Sequence, residues 1–456
     1  MGKKVIVIGG GPAGYVAAIR AAQLGADVVL AEESKIGGTC LNAGCIPTKT
    51  LLHTAEFYRK AVTNAVPGVT TAGVSLDWDA AQKHKKDVVG QLANGVFALL
   101  RHNKVTVLNK KAVILSPRQV RVGDETLPAD AVILAPGSVN APLKLKVAGA
   151  KDVLDSAGAL ALERVPQSMA IVGGGVIGVE FAELFNSLGV KVTIIELAPQ
   201  LLPAADAEIA EYMKASFESK GVVVFTGAQV MDGRRSAGGI KIDFSTNGKK
   251  ESITAEKLLA AVGRVPNTSG MGLEDLGVKT TRGAIDTDGH FQTNIPGVYA
   301  VGDCNGKSML AHAAMAQGEI AARHIMGEKP GVNGSLIPAC IYTSPEVAYI
   351  GQTEENLKAK NMTCKVGRFD LAGNAKSIIE NTAGFVKIIS DGKLGEILGV
   401  HIVGPNATEQ IAGAALCMNM EGTVEDVVNT IHAHPTASEA MREAAMAVFG
   451  KAIHGL

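Results

Sequence analysis

This 456-residue chain has little aromatic content and no charge excess. Phe, Trp and Tyr make up 4% of it against 47% hydrophobic residues overall, so its cores are aliphatic. Its 44 Lys and Arg balance 44 Asp and Glu, which argues against a general binder of nucleic acid or of membrane surfaces. Six cysteines in so long a chain do not make a disulfide scaffold. Cys304, Cys340, Cys364 and Cys417 are scattered and read as core residues. No run of 18 apolar residues suggests a membrane span. The first strand starts close to Met1, leaving no room for a signal peptide, and Ile6 stands where a myristoylation signal needs Ser or Thr. The expected location is the cytoplasm, or the mitochondrial matrix if a transit peptide was removed. Length suggests about three domains.

Glycine is abundant, at 53 residues against a usual ~7%. The glycines cluster after apolar runs, as nucleotide loops do. Residues 4–8 form a short buried strand, followed by Gly9-Gly10-Gly11-Pro12-Ala13-Gly14, a helix over 15–24, and a second strand ending at Glu32. In this fingerprint Gly9 makes the turn, Gly11 lets a pyrophosphate approach and Gly14 lets helix pack on strand. The helix N-terminus faces the phosphates, and Glu32 can accept from a ribose hydroxyl. The same unit recurs as strand 168–172, Gly173-Gly174-Gly175-Val176-Ile177-Gly178, a helix, strand 191–195 and Glu196. Gly173, Gly175 and Gly178 repeat the three glycine roles. Two units imply two dinucleotides. A carboxylate at Glu196, with no arginine in Leu197-Ala198-Pro199-Gln200, favours NAD over NADP. Downstream, the run 293–303 enters Gly302-Asp303, whose aspartate could hold the ribityl or pyrophosphate part of a flavin dinucleotide; alone it reads equally well as a strand-end turn.

Two cysteines follow the first unit, in Gly37-Gly38-Thr39-Cys40-Leu41-Asn42-Ala43-Gly44-Cys45-Ile46-Pro47-Thr48-Lys49. A regular helix would part them by ~7.5 Å, beyond the roughly 7 Å Cα limit for a disulfide. The segment must bend, and Gly44 allows it. A disulfide in a short bent loop is reducible, which suits catalysis. Pro47 fits the first turn of a helix to about Tyr58, whose N-terminus would lower a nearby thiol pKa, that of Cys45 above all. Lys49 adds positive charge one turn on. A pair of plain core thiols is the bland alternative. Structural zinc would need a second cysteine pair, which the chain lacks, so no metal is expected.

Near the C-terminus stands Ile431-His432-Ala433-His434-Pro435-Thr436-Ala437-Ser438-Glu439. Pro435 favours an extended His434 with its ring on a loop. Glu439 either caps the helix over 437–449 or orients His434 as a general base for a thiol. Spacing leaves both open.

Assembled, the motifs GGTCLNAGCIPTK, GGGVIGVE, VGRVPN, YAVGD and HAHPTASE resemble the pyridine nucleotide-disulfide oxidoreductase family, and within it the dihydrolipoamide dehydrogenases, from Lys3 to Gly450. The resemblance implies an α/β fold: two Rossmann-like domains for FAD and NAD and a C-terminal α+β dimerisation domain. It divides the chain into 1–140 (FAD), 141–268 (NAD), 269–335 (completing the FAD site) and 336–456 (interface). It implies that Cys40 is the interchange thiol and Cys45 the charge-transfer thiol against the flavin. By the same resemblance Lys49 would lie near the flavin and pair with Glu180, and His434 and Glu439 would form the acid–base pair, reaching the dithiol of the other subunit of a homodimer. Gly137 and Gly263 fall in motifs at the cofactor sites. The implied activity is oxidation of dihydrolipoamide, carried on a protein of a 2-oxoacid dehydrogenase or glycine cleavage complex, with reduction of NAD⁺. One departure is Ala135-Pro136-Gly137-Ser138, where the family usually has Ala-Thr-Gly; proline removes a backbone donor there, and FAD is still expected to bind. Glutathione reductases would show arginines after the second glycine unit.

Overall fold

The computed structural model describes residues 2–143, 145, 152–331 and 334–455. The chain divides into two compact units, one of residues 1–50, 79–142 and 263–334, the other of residues 51–78, 143–262 and 335–456.

The first unit is built on a parallel sheet ordered Val298–Ala300, Ala131–Leu134, Lys4–Ile8, Asp27–Ala31, Thr106–Leu108. Its central strand Lys4–Ile8 is buried on both faces, which is why it reads as an unbroken apolar run rather than an alternating one. Helix Pro12–Gln23 buries Ala13, Gly14, Ala17, Ala18 and Ala21, a stripe of small residues that lets helix Ala311–Met326 pack closely. A three-stranded antiparallel meander, Ala112–Ser116, Gln119–Val122 and Glu125–Pro128, precedes the strand Ala131–Leu134 in sequence.

The second unit repeats this plan. Its parallel sheet runs Val223–Phe225, Lys191–Ile195, Ser168–Val172, Lys257–Ala260, Val153–Leu154. A meander of Ala228–Ser236, Gly239–Thr246 and Lys249–Ala255 again precedes the strand beside the central one. The same unit contains an antiparallel sheet ordered Ala339–Ile341, Glu346–Gly351, Ile397–Gly404, Phe385–Asp391, Cys364–Asp370. Helices Ala407–Asn419 and Glu439–Ala447 share its core through Ile411, Ala440 and Ala444.

Of the scattered cysteines Cys304 is fully buried. Cys340, Cys364 and Cys417 are half-buried, and Cys340 and Cys417 pack against the core of the antiparallel sheet. Among the described residues, no helix is long and apolar enough to cross a membrane.

Candidate active site

The two glycine loops have nearly the same geometry. Gly9 and Gly173 turn with φ of 107° and 110°, conformations that glycine adopts without steric cost. A Cβ on Gly14 would lie 1.8 Å from the Gly9 carbonyl oxygen, and one on Gly178 would lie 1.9 Å from that of Gly173. These glycines are therefore required by helix-on-strand packing. Gly11 and Gly175 differ. Both have negative φ. A Cβ on Gly175 would meet nothing within 4 Å, and one on Gly11 only the Gly38 Cα at 3.8 Å. No protein neighbour explains glycine at either place. Each caps a 12-residue helix without a side-chain cap bond. Open space before bare N–H groups fits a pyrophosphate at both loops.

The acids also match. Glu32 accepts from the Gly10 and Ser34 N–H groups, both at 2.7 Å. Glu196 accepts from the Gly174 N–H and from that of Ala198 at 2.6 Å. Each carboxylate is thus tied to its own glycine loop at the end of the second strand, where a ribose would lie.

Gly302 turns with φ 78°, and its N–H donates to Gln317 Oε1 at 2.7 Å. Asp303 Oδ2 accepts from Ser138 Oγ at 2.5 Å. Arg264 braces that serine: Nε donates to Ser138 Oγ at 2.7 Å, and the two terminal nitrogens donate to Ser138 O at 2.6 Å and Asn140 Oδ1 at 2.7 Å. Because Oγ accepts from the Arg264 N–H, it turns its own O–H toward Asp303 as a donor. The sequence reading overlooked Ser138 and Arg264; the signal available was their place beside Gly137 and Gly263, both at positive φ and with nothing within 4 Å of a Cβ. Pro136 leaves its carbonyl as an acceptor for Asn267 Nδ2 at 3.5 Å.

The dithiol segment packs on the first glycine loop. The Gly37 N–H donates to Gly10 O at 2.8 Å, and a Cβ on Gly38 would lie 2.6 Å from the Gly11 Cα. Helix Gly38–Ala43 carries Cys40 and stops at Gly44. A new helix, Cys45–Val62, starts with Cys45, four residues longer than expected at its far end. A Cβ on Gly44 would lie 2.9 Å from Thr39 O, so the break needs glycine. Both sulfurs are thiols. Their mutual hydrogen bond, then burial and the nearby Cys45 charge, push the Cys40 thiol far above the ordinary cysteine value. The Cys45 N–H and Lys49 act in the opposite direction and are outweighed. Burial, then Cys40, raises the Tyr15 hydroxyl, another neighbour the sequence did not flag.

In the second unit, His434 Nδ1 bonds Glu439 Oε1 at 2.9 Å, and the histidine side chain is 71% exposed. Glu439 Oε2 accepts from the Thr436 N–H at 2.8 Å. The glutamate is itself the first residue of its helix, whose N-cap Ser438 makes no side-chain cap bond, so of the two readings it is the orienting one that the structure realises, with the second oxygen tied to the Thr436 backbone. Burial would raise its carboxyl, but the Thr436 N–H and His434 hold it below the usual range. The helix spans Glu439–Ala447, shorter than 437–449. Glu180 is buried, and its Oε1 accepts from the Tyr342 N–H at 3.1 Å. Among the described residues, no group of three or more His, Cys, Asp or Glu is placed to hold a metal ion.

A model of the pyridine nucleotide-disulphide oxidoreductase family matches residues 3–318. The chain belongs to that family. The model of the family's dimerisation domain matches residues 337–445, which include the antiparallel sheet and the His434–Glu439 pair. This oxidoreductase is 42% identical to a dihydrolipoyl dehydrogenase of Bacillus subtilis over 467 residues, covering 99% of this chain and 98% of that one. It is also 42% identical to a dihydrolipoyl dehydrogenase of Trypanosoma brucei brucei, covering 99% and 97%. Among solved structures, LpdA from Mycobacterium tuberculosis superposes with a TM-score of 0.89 at 27% identity, covering 97% of this chain and 99% of that one. The HOCl-induced flavoprotein disulfide reductase RclA of Escherichia coli gives 0.84 at 27% identity, covering 96% and 98%.

Proposed function

We propose that this oxidoreductase oxidises protein-bound dihydrolipoamide to lipoamide and reduces NAD⁺ to NADH, working as a homodimer. The observation that carries the reading is the Cys40–Cys45 thiol pair, bent at Gly44 and packed on a glycine loop with room for a dinucleotide. A dithiol beside a bound redox cofactor suits disulfide exchange rather than structure.

The proposed division of labour follows the residues. His434, its Nδ1 held by Glu439, takes a proton from one dihydrolipoyl thiol with Nε2. The thiolate attacks Cys40 Sγ in the oxidised enzyme, the Cys40–Cys45 bond breaks, and Cys45 leaves as thiolate. The second dihydrolipoyl thiol then gives up its proton and attacks the first sulfur, closing the lipoyl disulfide, and Cys40 leaves and takes up that proton. Cys40 keeps its proton beside Cys45, which places the anionic sulfur at the start of helix Cys45–Val62, where the helix dipole favours it. FAD, bound at Gly9, Gly11, Gly14, Glu32, Gly137, Gly302 and Asp303, supplies the two-electron path from this dithiol to NAD⁺. Gly173, Gly175, Gly178, Glu196 and Gly263 bind the nicotinamide dinucleotide. Lys49 and Glu180 form an ion pair at the flavin, and His434 serves the dithiol of the other subunit.

In this reading residues 1–140 bind FAD, 141–268 bind NAD, 269–335 complete the FAD site and 336–456 form the interface. The lipoyl group arrives on a protein of a 2-oxoacid dehydrogenase or glycine cleavage complex, in the cytoplasm. The test is NADH formation by the purified yellow protein given dihydrolipoamide and NAD⁺, with NADPH plus oxidised glutathione run beside it. Fast NADH formation without glutathione reduction is expected. A flavin-loaded protein inert to dihydrolipoamide would overturn the reading.

A further inference from the structure

In the second unit the segment after Glu196 lies on the glycine loop and ends in a buried ion pair. The Leu202 N–H donates to Gly174 O at 2.8 Å. The first unit has the equivalent bond, from the Gly37 N–H to Gly10 O at 2.8 Å, and there the segment leads into the helix that carries Cys40. Here it leads instead to Asp206, the N-cap of helix Ala207–Ser219. Leu201 and Leu202 are buried, and a Cβ on Gly174 would lie 2.5 Å from Leu201 Cδ2. Both N–H groups that fasten Glu196, those of Gly174 and Ala198, belong to this arrangement.

Leu202 has a φ of 49°, rare for a bulky residue, and it precedes Pro203, which favours an extended backbone before it. Such a conformation persists only where the surroundings impose it. On one side the constraint is the bond to Gly174. On the other, the Ala205 N–H donates to Leu202 O at 2.8 Å, closing a turn, and Asp206 follows. Asp206 and Lys387 are both buried. Lys387 Nζ donates to the two Asp206 oxygens at 3.0 and 3.2 Å and to Glu208 Oε1 at 2.8 Å, and pairs with Glu354 Oε1 at 2.5 Å. Burial would lower the Lys387 pKa, but Glu208, Glu354 and Asp206 outweigh it and hold it above the ordinary lysine value, so it is a cation at neutral pH. Capping needs no lysine, since Asp206 Oδ1 accepts from the Glu208 N–H at 3.1 Å by itself. Lys387 adds an anchor in strand Phe385–Asp391 for the end of the strained turn.

We propose that Asp206 and Lys387 are positioning residues for the nicotinamide dinucleotide: their buried ion pair holds the Leu202 turn against Gly174 and so fixes the Glu196 carboxylate where a ribose would lie. The proposal rests on the second glycine loop being the NAD⁺ site. Neither residue touches the dinucleotide in this scheme; both act through the turn.

The experiment measures Michaelis constants for NAD⁺ and for dihydrolipoamide, with melting temperatures, in the whole flavin-loaded protein and its Asp206→Asn, Lys387→Met, Glu354→Gln and Gly178→Ala variants. Asp206→Asn keeps a capping acceptor and removes the charge. It and Lys387→Met should raise the constant for NAD⁺ about 2- to 30-fold, the range for residues that act through others, and leave that for dihydrolipoamide in place. Glu354→Gln removes a carboxylate that Lys387 also binds but that belongs to helix Glu354–Ala359, outside the turn. It should lower the melting temperature and leave the NAD⁺ constant in place. A purely structural cluster would lower the melting temperature in all three and leave both constants alone, or move both constants together; either result overturns the proposal. So does an NAD⁺ constant that rises as far in Glu354→Gln as in Asp206→Asn. Should Lys387→Met fail to fold, Asp206→Asn decides alone. If Gly178→Ala leaves the NAD⁺ constant unchanged, the assignment of the loop fails and the proposal with it. If Gly178→Ala raises that constant while Asp206→Asn and Lys387→Met do not, the anchoring alone fails.

Discussion

Glu439 holds His434 with one carboxylate oxygen and the Thr436 backbone with the other, at 2.9 and 2.8 Å. The backbone bond fixes the carboxylate, and the fixed carboxylate fixes the ring. Replacing His434 with Ala should lower dihydrolipoamide turnover by about 10²–10⁴-fold, the usual worth of a placed acid–base group. Glu439→Gln keeps an acceptor but loses the charge, and should cost roughly 10- to 100-fold. Both variants should stay yellow. Steady-state rates and the flavin absorbance of the purified variants check this; near-normal turnover of His434→Ala would remove that residue from the chemistry.

The two glycine loops can be separated by matched substitutions. Gly14→Ala sets a Cβ 1.8 Å from Gly9 O, and Gly178→Ala sets one 1.9 Å from Gly173 O. Overpacking of this kind costs about 1–3 kcal/mol, or roughly 5- to 150-fold in affinity. Gly14→Ala should lose flavin on gel filtration. Gly178→Ala should keep flavin and raise the Michaelis constant for NAD⁺. Flavin loss from Gly178→Ala and not from Gly14→Ala would reverse the assignment of the loops.

In the proposed function Glu196 sets the preference for NAD⁺. It is buried and fastened by the Gly174 and Ala198 N–H groups, so its charge cannot swing away from an added 2′-phosphate. Glu196→Gln retains the acceptor and removes the repulsion. The preference for NAD⁺ over NADP⁺ in kcat/KM should narrow by roughly tenfold. An unchanged ratio would mean that another group sets the preference.

Acid sensitivity has a local source in the second unit. His401 is fully buried, with Nε2 on Gln352 O at 2.9 Å and, among the described residues, no partner for Nδ1. Burial holds its pKa below the ordinary histidine value despite the pull of Asp206, with Lys387 adding to the depression. The unfolded chain takes up this proton near pH ~6.5. The stability contributed is present above that pH and lost as pH falls through the lower folded value. Asp206 adds a second window. Burial would raise its carboxyl, yet His401 and Lys387 hold it below the carboxylate range, so its contribution is lost as pH falls from ~3.9 through that lower value. The melting temperature should drop as pH is lowered from ~7 to ~5, and His401→Gln should flatten that drop. An equally steep drop in the variant would place the cause elsewhere.

Much of this protein is legible in the sequence because its determinants are local. A buried strand, a glycine turn, a helix and an acid lie within some 30 residues of one another, so both nucleotide units can be read from spacing alone. The bend between Cys40 and Cys45 follows from helix rise and one glycine. Other features were set by distant parts of the chain. Nothing in the local sequence shows that Ser138 joins Arg264 to Asp303, or that Glu443 folds residues 453 and 454 back onto its helix. Spacing alone leaves open whether Glu439 caps or orients; in the fold its helix begins only at Glu439, so the carboxylate orients His434 and its second oxygen ties the Thr436 backbone. Sequence alone determined the kinds of group present and their order along the chain. Tertiary structure decided which groups share a field, because burial, hydrogen-bond partners and charge proximity depend on segments that meet only when the chain is folded.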